Sequence, residues 1–448
     1  MSSHSADRAR NAAWAVFVVF LANGFTFATW ASRLPAVRDG LDFSERQMGL
    51  LVLTGAVGSV LALPLSGMIV ARLGAARTVV IFSLVATAGY AVACVGVVDS
   101  HAMVVRAGLF LAGVGIGVWD ASMNLEGAVV EQRLGRAIMP RFHAGFSFGT
   151  VAGAGMGAGA SALGLPFAVH VVTGMVLALL AAAVCVRWFV STPVTARAAG
   201  GAAVPEAVAG TGRAGESTGG EPTTAAPASA GTGAGPATAV AGGQHDEVAH
   251  GWRDVLATWR EPRTLLIGLV VLAAALTEGA ANDWLGLAVV DGFEASEATG
   301  ALGLAIFLAA MTAARLVGTE LIDRLGRVPV LRLSALGALV GVGLFVFSPW
   351  LWLALVGVVV WGAAAALGFP MGMSAASDDP RRAALRVSVV STVGYSAFFI
   401  GPALIGLLAE HTGYRHALLV IAAPVVIGLS VAGAARPLPQ AQAQEERA

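Results

Sequence analysis

The stretch Gly67-Met-Ile-Val-Ala-Arg72-Leu-Gly74-Ala-Ala-Arg77 returns later in the chain as Thr319-Glu-Leu-Ile-Asp323-Arg324-Leu-Gly326-Arg327. Each copy of Arg-Leu-Gly follows the second long apolar run in its half of the sequence. A loop repeated at matched positions in two hydrophobic halves marks a duplicated membrane bundle. The predicted architecture is therefore an all-α integral membrane protein, with twelve transmembrane helices in two pseudo-symmetric six-helix bundles. The glycine after each Arg-Leu supplies a backbone free to make a tight turn.

Composition supports that reading. The 448 residues are 57% hydrophobic and 12% charged, with a mean hydropathy of +0.78. Apolar stretches of about 20 residues match the hydrocarbon thickness of a bilayer when helical. Alternating strands of about 10 residues, the mark of a membrane β-barrel, are missing from the sequence. The 57 glycines let helices approach closely in lipid, where small residues take over as the packing device. The net charge of zero points to no nucleic-acid partner, and the two cysteines, Cys94 and Cys185, lie in apolar runs that suit neither a metal site nor a thiol nucleophile. No cofactor is expected. The basic residues are all Arg, so the Lys of a phosphate-binding loop is absent and ATP drive within this chain is excluded.

Apolar runs fall at 12–32, 48–70, 78–98, 103–127, 142–162 and 166–190, then at 264–288, 298–320, 328–347, 350–374, 386–409 and 415–434. The domain reading is a tail at 1–11, a first bundle at 12–190, an Ala/Gly/Pro/Thr-rich disordered linker at 191–260, a second bundle at 261–436 and a tail at 437–448. Trp252 to Trp259 reads as a short interfacial helix. Arg72, Arg77, Arg133, Arg136, Arg141, Arg324, Arg327, Arg332, Arg381, Arg382 and Arg386 collect on one side, whereas the loop of Asp291, Glu294 and Glu297 on the other is acidic. The positive-inside rule then places both termini in the cytoplasm of a multi-pass protein of the cell membrane.

These features resemble the major facilitator superfamily over nearly the whole chain outside the linker and tails. The two quoted loops resemble its signature Gly-x-x-x-Asp-Arg-x-Gly-Arg. Ala71 replaces the acid and Ala75 a basic residue in the first copy, and Thr319 replaces the leading Gly in the second. Arg106 with Gly113, Gly115 and Gly117 resembles the fourth-span motif. Gly401-Pro402 before Gly406 resembles the glycine-proline motif, displaced to the eleventh span. A closer resemblance, to fucose-permease-like bacterial members of mostly unknown substrate, rests on Trp30-Ala-Ser-Arg33-Leu-Pro35, Asn124 and His143-Ala-Gly145-Phe-Ser-Phe-Gly149. The two-half layout implies alternating access about a midplane site for a small-molecule substrate, the subgroup resemblance fits protons as coupling ion, and a twelve-helix unit can enclose its own cavity and so is expected to function as a monomer.

The residues name candidates of their own. At the mouth, Gly67, Arg72, Gly74, Asp323, Arg324, Gly326 and Arg327 are read as a gate, because arginine can hold helix-terminal carbonyls and carboxylates. Setting topology is their plainer role. Ionisable groups at membrane depth face a cavity or a partner. Asn23, Thr26 and Trp30 share a face of the first span, Asp120 and Asn124 of the fourth, and Glu278 and Asn282 of the seventh, beside Asp283. Tyr395 sits on a polar stripe of the eleventh span. Each is a substrate or proton-path candidate. Hydration near a mouth, helix–helix hydrogen bonding or the aromatic belt are the alternatives. Pro370 and Pro402 are expected to kink their helices.

The chemistry expected is secondary active transport, as proton-coupled symport of a small polar compound. A proton-antiport efflux pump is the rival, and a non-transporting receptor is more remote. An intramembrane enzyme would need a nucleophile–base pair or a metal cluster, and no such motif is present.

Overall fold

The computed structural model describes residues 3–134, 138–190, 252–379 and 382–438. Most of the predicted linker, 191–251, lies outside the described residues, as does the tail from 439 onward. The described residues form helices and short 3-10 turns, with no strand among them.

The first half contains α1 (Ser3–Ala31), the short α2 (Leu34–Leu41), α3 (Glu45–Leu73), α4 (Ala75–Val98), α5 (Ala102–Leu134), α6 (Met139–Ala162) and α7 (Phe167–Cys185). The second begins with α8 (Trp252–Thr258), which supplies the short helix expected there. It continues with α9 (Pro262–Gly292), α10 (Glu297–Leu325), α11 (Arg327–Phe347), α12 (Leu351–Ala365), α13 (Gly368–Ala376), α14 (Ala383–Tyr395), α15 (Ala397–Ala417) and α16 (Ala422–Val431). Ten stretches among the described residues are long and apolar enough to cross a membrane. One of them, Leu385–Ala435, is 51 residues long and turns at Gly413, whose φ is 74°. A six-plus-six count requires this stretch to cross twice and the glycine-rich α6, 24 residues long, to cross as well.

The duplication is visible in detail. Helices α3 and α10 are each 29 residues long, at a constant offset of 252 (297 − 45 and 325 − 73). Both begin at a serine N-cap, Ser44 and Ser296, whose side chain accepts from the backbone N–H three residues on. Two residues before each cap the chain turns through a left-handed residue, Asp42 (φ 50°) and Glu294 (φ 51°). Both helices end at the repeated glycine. Gly74 and Gly326 have φ of 80° and 79°, and each donates its N–H over 2.8 Å to the carbonyl four residues back, Val70 or Ile322. A side chain at either glycine would be strained.

Small residues also set the packing. Gly89 of α4 lies so close to Gly108 of α5 that a Cβ on Gly89 would stand 2.7 Å from the Gly108 carbonyl oxygen. In the second half Gly341 of α11 meets Gly357 of α12 in the same way, again at 2.7 Å. Direct backbone approach of this kind replaces the hydrophobic drive that lipid removes. The halves join chiefly through α6 against α10 and α3 against α15.

Proline acts less directly than predicted. The tenth run breaks between Ala365 and Gly368, ahead of Pro370. Pro370 has no N–H to give to the carbonyl four residues back, that of Ala366. Pro402 lies inside α15, and the neighbouring break falls earlier, at Ser396.

Candidate functional site

Where the two halves face each other they enclose a cavity of about 640 Å³. Asn23 and Trp30 reach it from α1, Tyr90 from α4, Asp120 from α5, Asn282 and Asp283 from α9, and Tyr395 from α14. Six of the nine residues proposed from sequence for substrate or protons thus line one cavity: Asn23, Trp30, Asp120, Asn282, Asp283 and Tyr395.

The two amides carry most of the information. Asn23 is 2% exposed and Asn282 9% exposed. The Nδ2 of Asn23 and the Oδ1 of Asn282 have no hydrogen-bond partner within the protein. A buried polar group left unpaired costs about 1–3 kcal/mol, so these two atoms beside one cavity keep hydrogen-bonding capacity that the protein does not use. Asp120 is 8% exposed, and no ion pair among the described residues reaches it or Asp283. The rings are ordered by one another. Trp30 lies 5.4 Å from Tyr90 and 5.8 Å from Phe167, and Tyr395 stacks 5.8 Å from Phe369.

Three candidates turn elsewhere. The Thr26 hydroxyl donates to the Ala22 carbonyl at 2.9 Å. The Asn124 amide donates to the Asp120 carbonyl, also at 2.9 Å. Glu278 points away from the cavity to Arg315, whose Nη2 is 3.2 Å from Oε2 and 3.3 Å from Oε1. Arg315 is not among the sequence candidates, although it is the one charge inside the apolar run 298–320, whose last residue is Glu320. Its Nε also donates to the Ala366 carbonyl at 3.3 Å, the one that Pro370 leaves without a helical donor. Its Nη1 is 3.5 Å from the Ser147 hydroxyl in the other half.

The halves are tied together at one end. There Arg38 pairs with Asp291 across the interface, Arg33 lies 3.6 Å from Glu297, and Gly49 abuts the backbone of Pro402 and Gly406. Burial lowers the Arg38 pKa, but its bonds to Asp291 and Asp39 outweigh that and raise it above the usual arginine value. At the opposite end, which carries Arg72 and Arg324, the ion pairs among the described residues join members of one half only. Arg327 holds Asp378 at 2.9 Å. Glu261 accepts from Arg386 at 2.7 and 2.8 Å and from Arg382 at 2.9 Å. The Arg386 bonds foremost hold the Glu261 pKa down at about 2.

The predicted gate is consequently dispersed here. Arg72 and Asp323 are exposed, and Arg324 pairs with Glu320 on its own helix. Gly67 faces open space, whereas Gly74 and Gly326 make their turns. Arg106 donates to the Met103 sulfur at 3.8 Å and is not among the residues lining the cavity. Glu126, two residues beyond Asn124, is fully buried and accepts from the Val190 N–H at 2.6 Å.

The sequence profile of the Major Facilitator Superfamily matches residues 267–448. An uncharacterized transporter of Sinorhizobium fredii is 29% identical over 408 residues, covering 90% of this chain and 92% of that one. An uncharacterized MFS-type transporter of Yersinia pestis is 27% identical, covering 94% of each. Among solved structures, the nucleoside transporter NupG superposes with a TM-score of 0.67 at 14% identity, over 95% of this chain and 99% of that one. The fucose:proton symporter of E. coli gives 0.55 at 12% identity, over 95% and 98%. At these identities the structures speak for the fold.

Proposed function

We propose that this chain, a secondary transporter of the Major Facilitator Superfamily and a multi-pass membrane protein, carries a small polar compound through its central cavity in exchange for, or together with, protons. Symport is the reading taken forward. The observation that supports it is the pair of buried, unpartnered amides, Asn23 and Asn282, presented to one cavity from opposite halves. A site assembled from both halves is sensitive to their relative position, which is what alternating access requires.

Asp120 and Asp283 are the proposed proton carriers. Each lines the cavity without a cationic partner, the usual setting of a functional carboxyl at membrane depth. Glu278 is instead assigned to hold Arg315. With the arginine-rich end and both termini placed in the cytoplasm, the contacts of Arg38, Arg33 and Gly49 are the ones that close the outer end. The two bundles, 12–190 and 261–436, are the units proposed to move, and because together they enclose the cavity, one chain suffices for function. The named substrates of the structural neighbours, nucleosides and fucose, are likewise small and polar.

The test is proton movement in proteoliposomes containing the purified chain, screened with sugars, organic acids and organic cations. Protons moving with the solute support symport, and protons moving against it establish the efflux-type antiport. Asp120→Asn or Asp283→Asn is expected to abolish solute-driven proton flux while inserted protein persists. Labelled solute crossing with no proton signal would remove proton coupling from the proposal.

A further inference from the structure

The cavity wall has a one-sided charge. Among the described residues that line it are two aspartates and no arginine or histidine, and the chain has no lysine at all. Arg315 is committed to Glu278, Ala366 and Ser147. An anionic substrate would enter such a site with two carboxylates and no counter-charge to meet it, and like charges at short range inside a protein repel strongly.

The rest of the wall is aromatic. Seven aromatic side chains line the cavity. They come from both halves: Trp30 and Tyr90 form one tilted pair, 5.4 Å apart, and Tyr395 and Phe398 another, 6.1 Å apart. The face of an aromatic ring attracts a cation within about 6 Å, most strongly where water is excluded. Rings supplying that attraction beside aspartates supplying the counter-charge form the usual surroundings of an alkylammonium group. The unpartnered amides Asn23 and Asn282 add hydrogen bonding for a polar substituent on the same molecule.

From this wall we infer that the substrate is a small organic cation, an amine or quaternary ammonium compound bearing a hydroxyl or amide-like group. The inference rests on the reading of the cavity as the transport site. It also explains why the site has two carboxyls. One aspartate can answer the charge of the substrate while the other carries the proton. A single carboxyl would make cation and proton compete for one position, and the coupling could only be exchange.

The experiment measures binding by thermal shift and titration calorimetry on the purified full-length chain. The probes are choline, tetraethylammonium and benzyltrimethylammonium. Their controls are the neutral carbon isostere of choline, in which a tert-butyl group replaces the trimethylammonium, and the anion benzoate. The expected result is that at least one cation binds about tenfold or more tighter than the neutral isostere, the scale set by a desolvated cation–π contact with a counter-charge. Benzoate is expected not to bind. At least one of Asp120→Asn and Asp283→Asn is expected to erase the preference for the cation, and the Glu variant at the same position to keep it, which separates loss of charge from loss of fold; a preference that survives both Asn variants overturns the inference. Equal binding of choline and its isostere, preferred binding of benzoate, or no binding of any of the three cations overturns the inference. The proteoliposome assay keeps the two proposals distinct. Neutral solutes that drive protons while cations do not would defeat the cation assignment and leave the transporter reading intact. Cations that bind with the predicted preference but move no protons would do the reverse to proton coupling.

Discussion

Arg315 Nη2 stands 3.2 Å from Glu278 Oε2, with both side chains withdrawn from solvent, and the same guanidinium reaches the Ala366 carbonyl that Pro370 leaves unserved. One arginine thereby secures the seventh apolar run, completes the broken tenth run and touches the opposite half at Ser147. Removing one member of a buried pair leaves the other charge uncompensated.

Arg315→Met and Glu278→Gln, made singly, are each expected to destabilise the protein by about 3–5 kcal/mol. The double variant should recover most of that loss, since it leaves no orphaned charge. Thermal melts of the detergent-purified proteins check this, and additive losses in the double variant would show that the pair is not coupled. If Glu278 is a structural partner and not a proton carrier, the double variant should also retain proton flux.

Gly49 is a close contact between the halves at the closed end. A Cβ there would meet the Pro402 carbonyl oxygen at 2.5 Å and the Gly406 Cα at 3.2 Å. Gly49→Val should hold this end open, increase the labelling of cysteines introduced at positions 38 and 291, and slow transport about tenfold or more by shifting the population away from the closed state. Gly159→Val, where a side chain meets open space, is the control and should change neither quantity. Unaltered labelling in Gly49→Val would mean that closure does not depend on this contact.

Asp323 and Arg324 have no cross-half partner among the described residues, and Arg324 is occupied by Glu320. Their proposed gating contact belongs to the state in which the Arg72/Arg324 end is shut. Asp323→Asn should therefore lower flux several-fold without reducing the amount of inserted protein. Normal flux in a well-inserted variant would leave these residues with topology alone.

Glu261 links α9 to α14 through Arg386. Its folded pKa, about 2, lies below the ordinary value of 4.5. A group depressed on folding contributes stability that is full above the unfolded pKa and is lost as pH falls through the folded one. The melting temperature of the wild-type protein should exceed that of Glu261→Gln by a steady margin above pH 4.5, and the margin should close between pH 4.5 and about 2. A margin that does not change with pH would mean that the charge of Glu261 is not what Arg386 stabilises. Glu261 is partly solvent-exposed, so added salt should narrow the margin.

Much of this protein is written along the chain. Each apolar run falls on a helix or on part of a longer helical stretch, because a helix satisfies its own backbone polar groups in lipid and 20 or so apolar residues are what crossing takes. The repeated Arg-Leu-Gly announced two equivalent turns, and Gly74 and Gly326 match to within a degree in φ, because only glycine takes that conformation without strain. Spacing alone could not say which polar residue would meet which neighbour. Glu278 and Asn282 are four residues apart on one helix face, yet Asn282 faces the cavity and Glu278 faces Arg315. Asn23 and Thr26 divide in the same way. Helical periodicity assigns a residue to a broad face, and that face is shared among several packed neighbours that come from distant parts of the chain. Which neighbour lies opposite is decided by how the helices cross, and the crossings are set by glycine contacts such as Gly89 on Gly108 and Gly341 on Gly357, which no single helix contains.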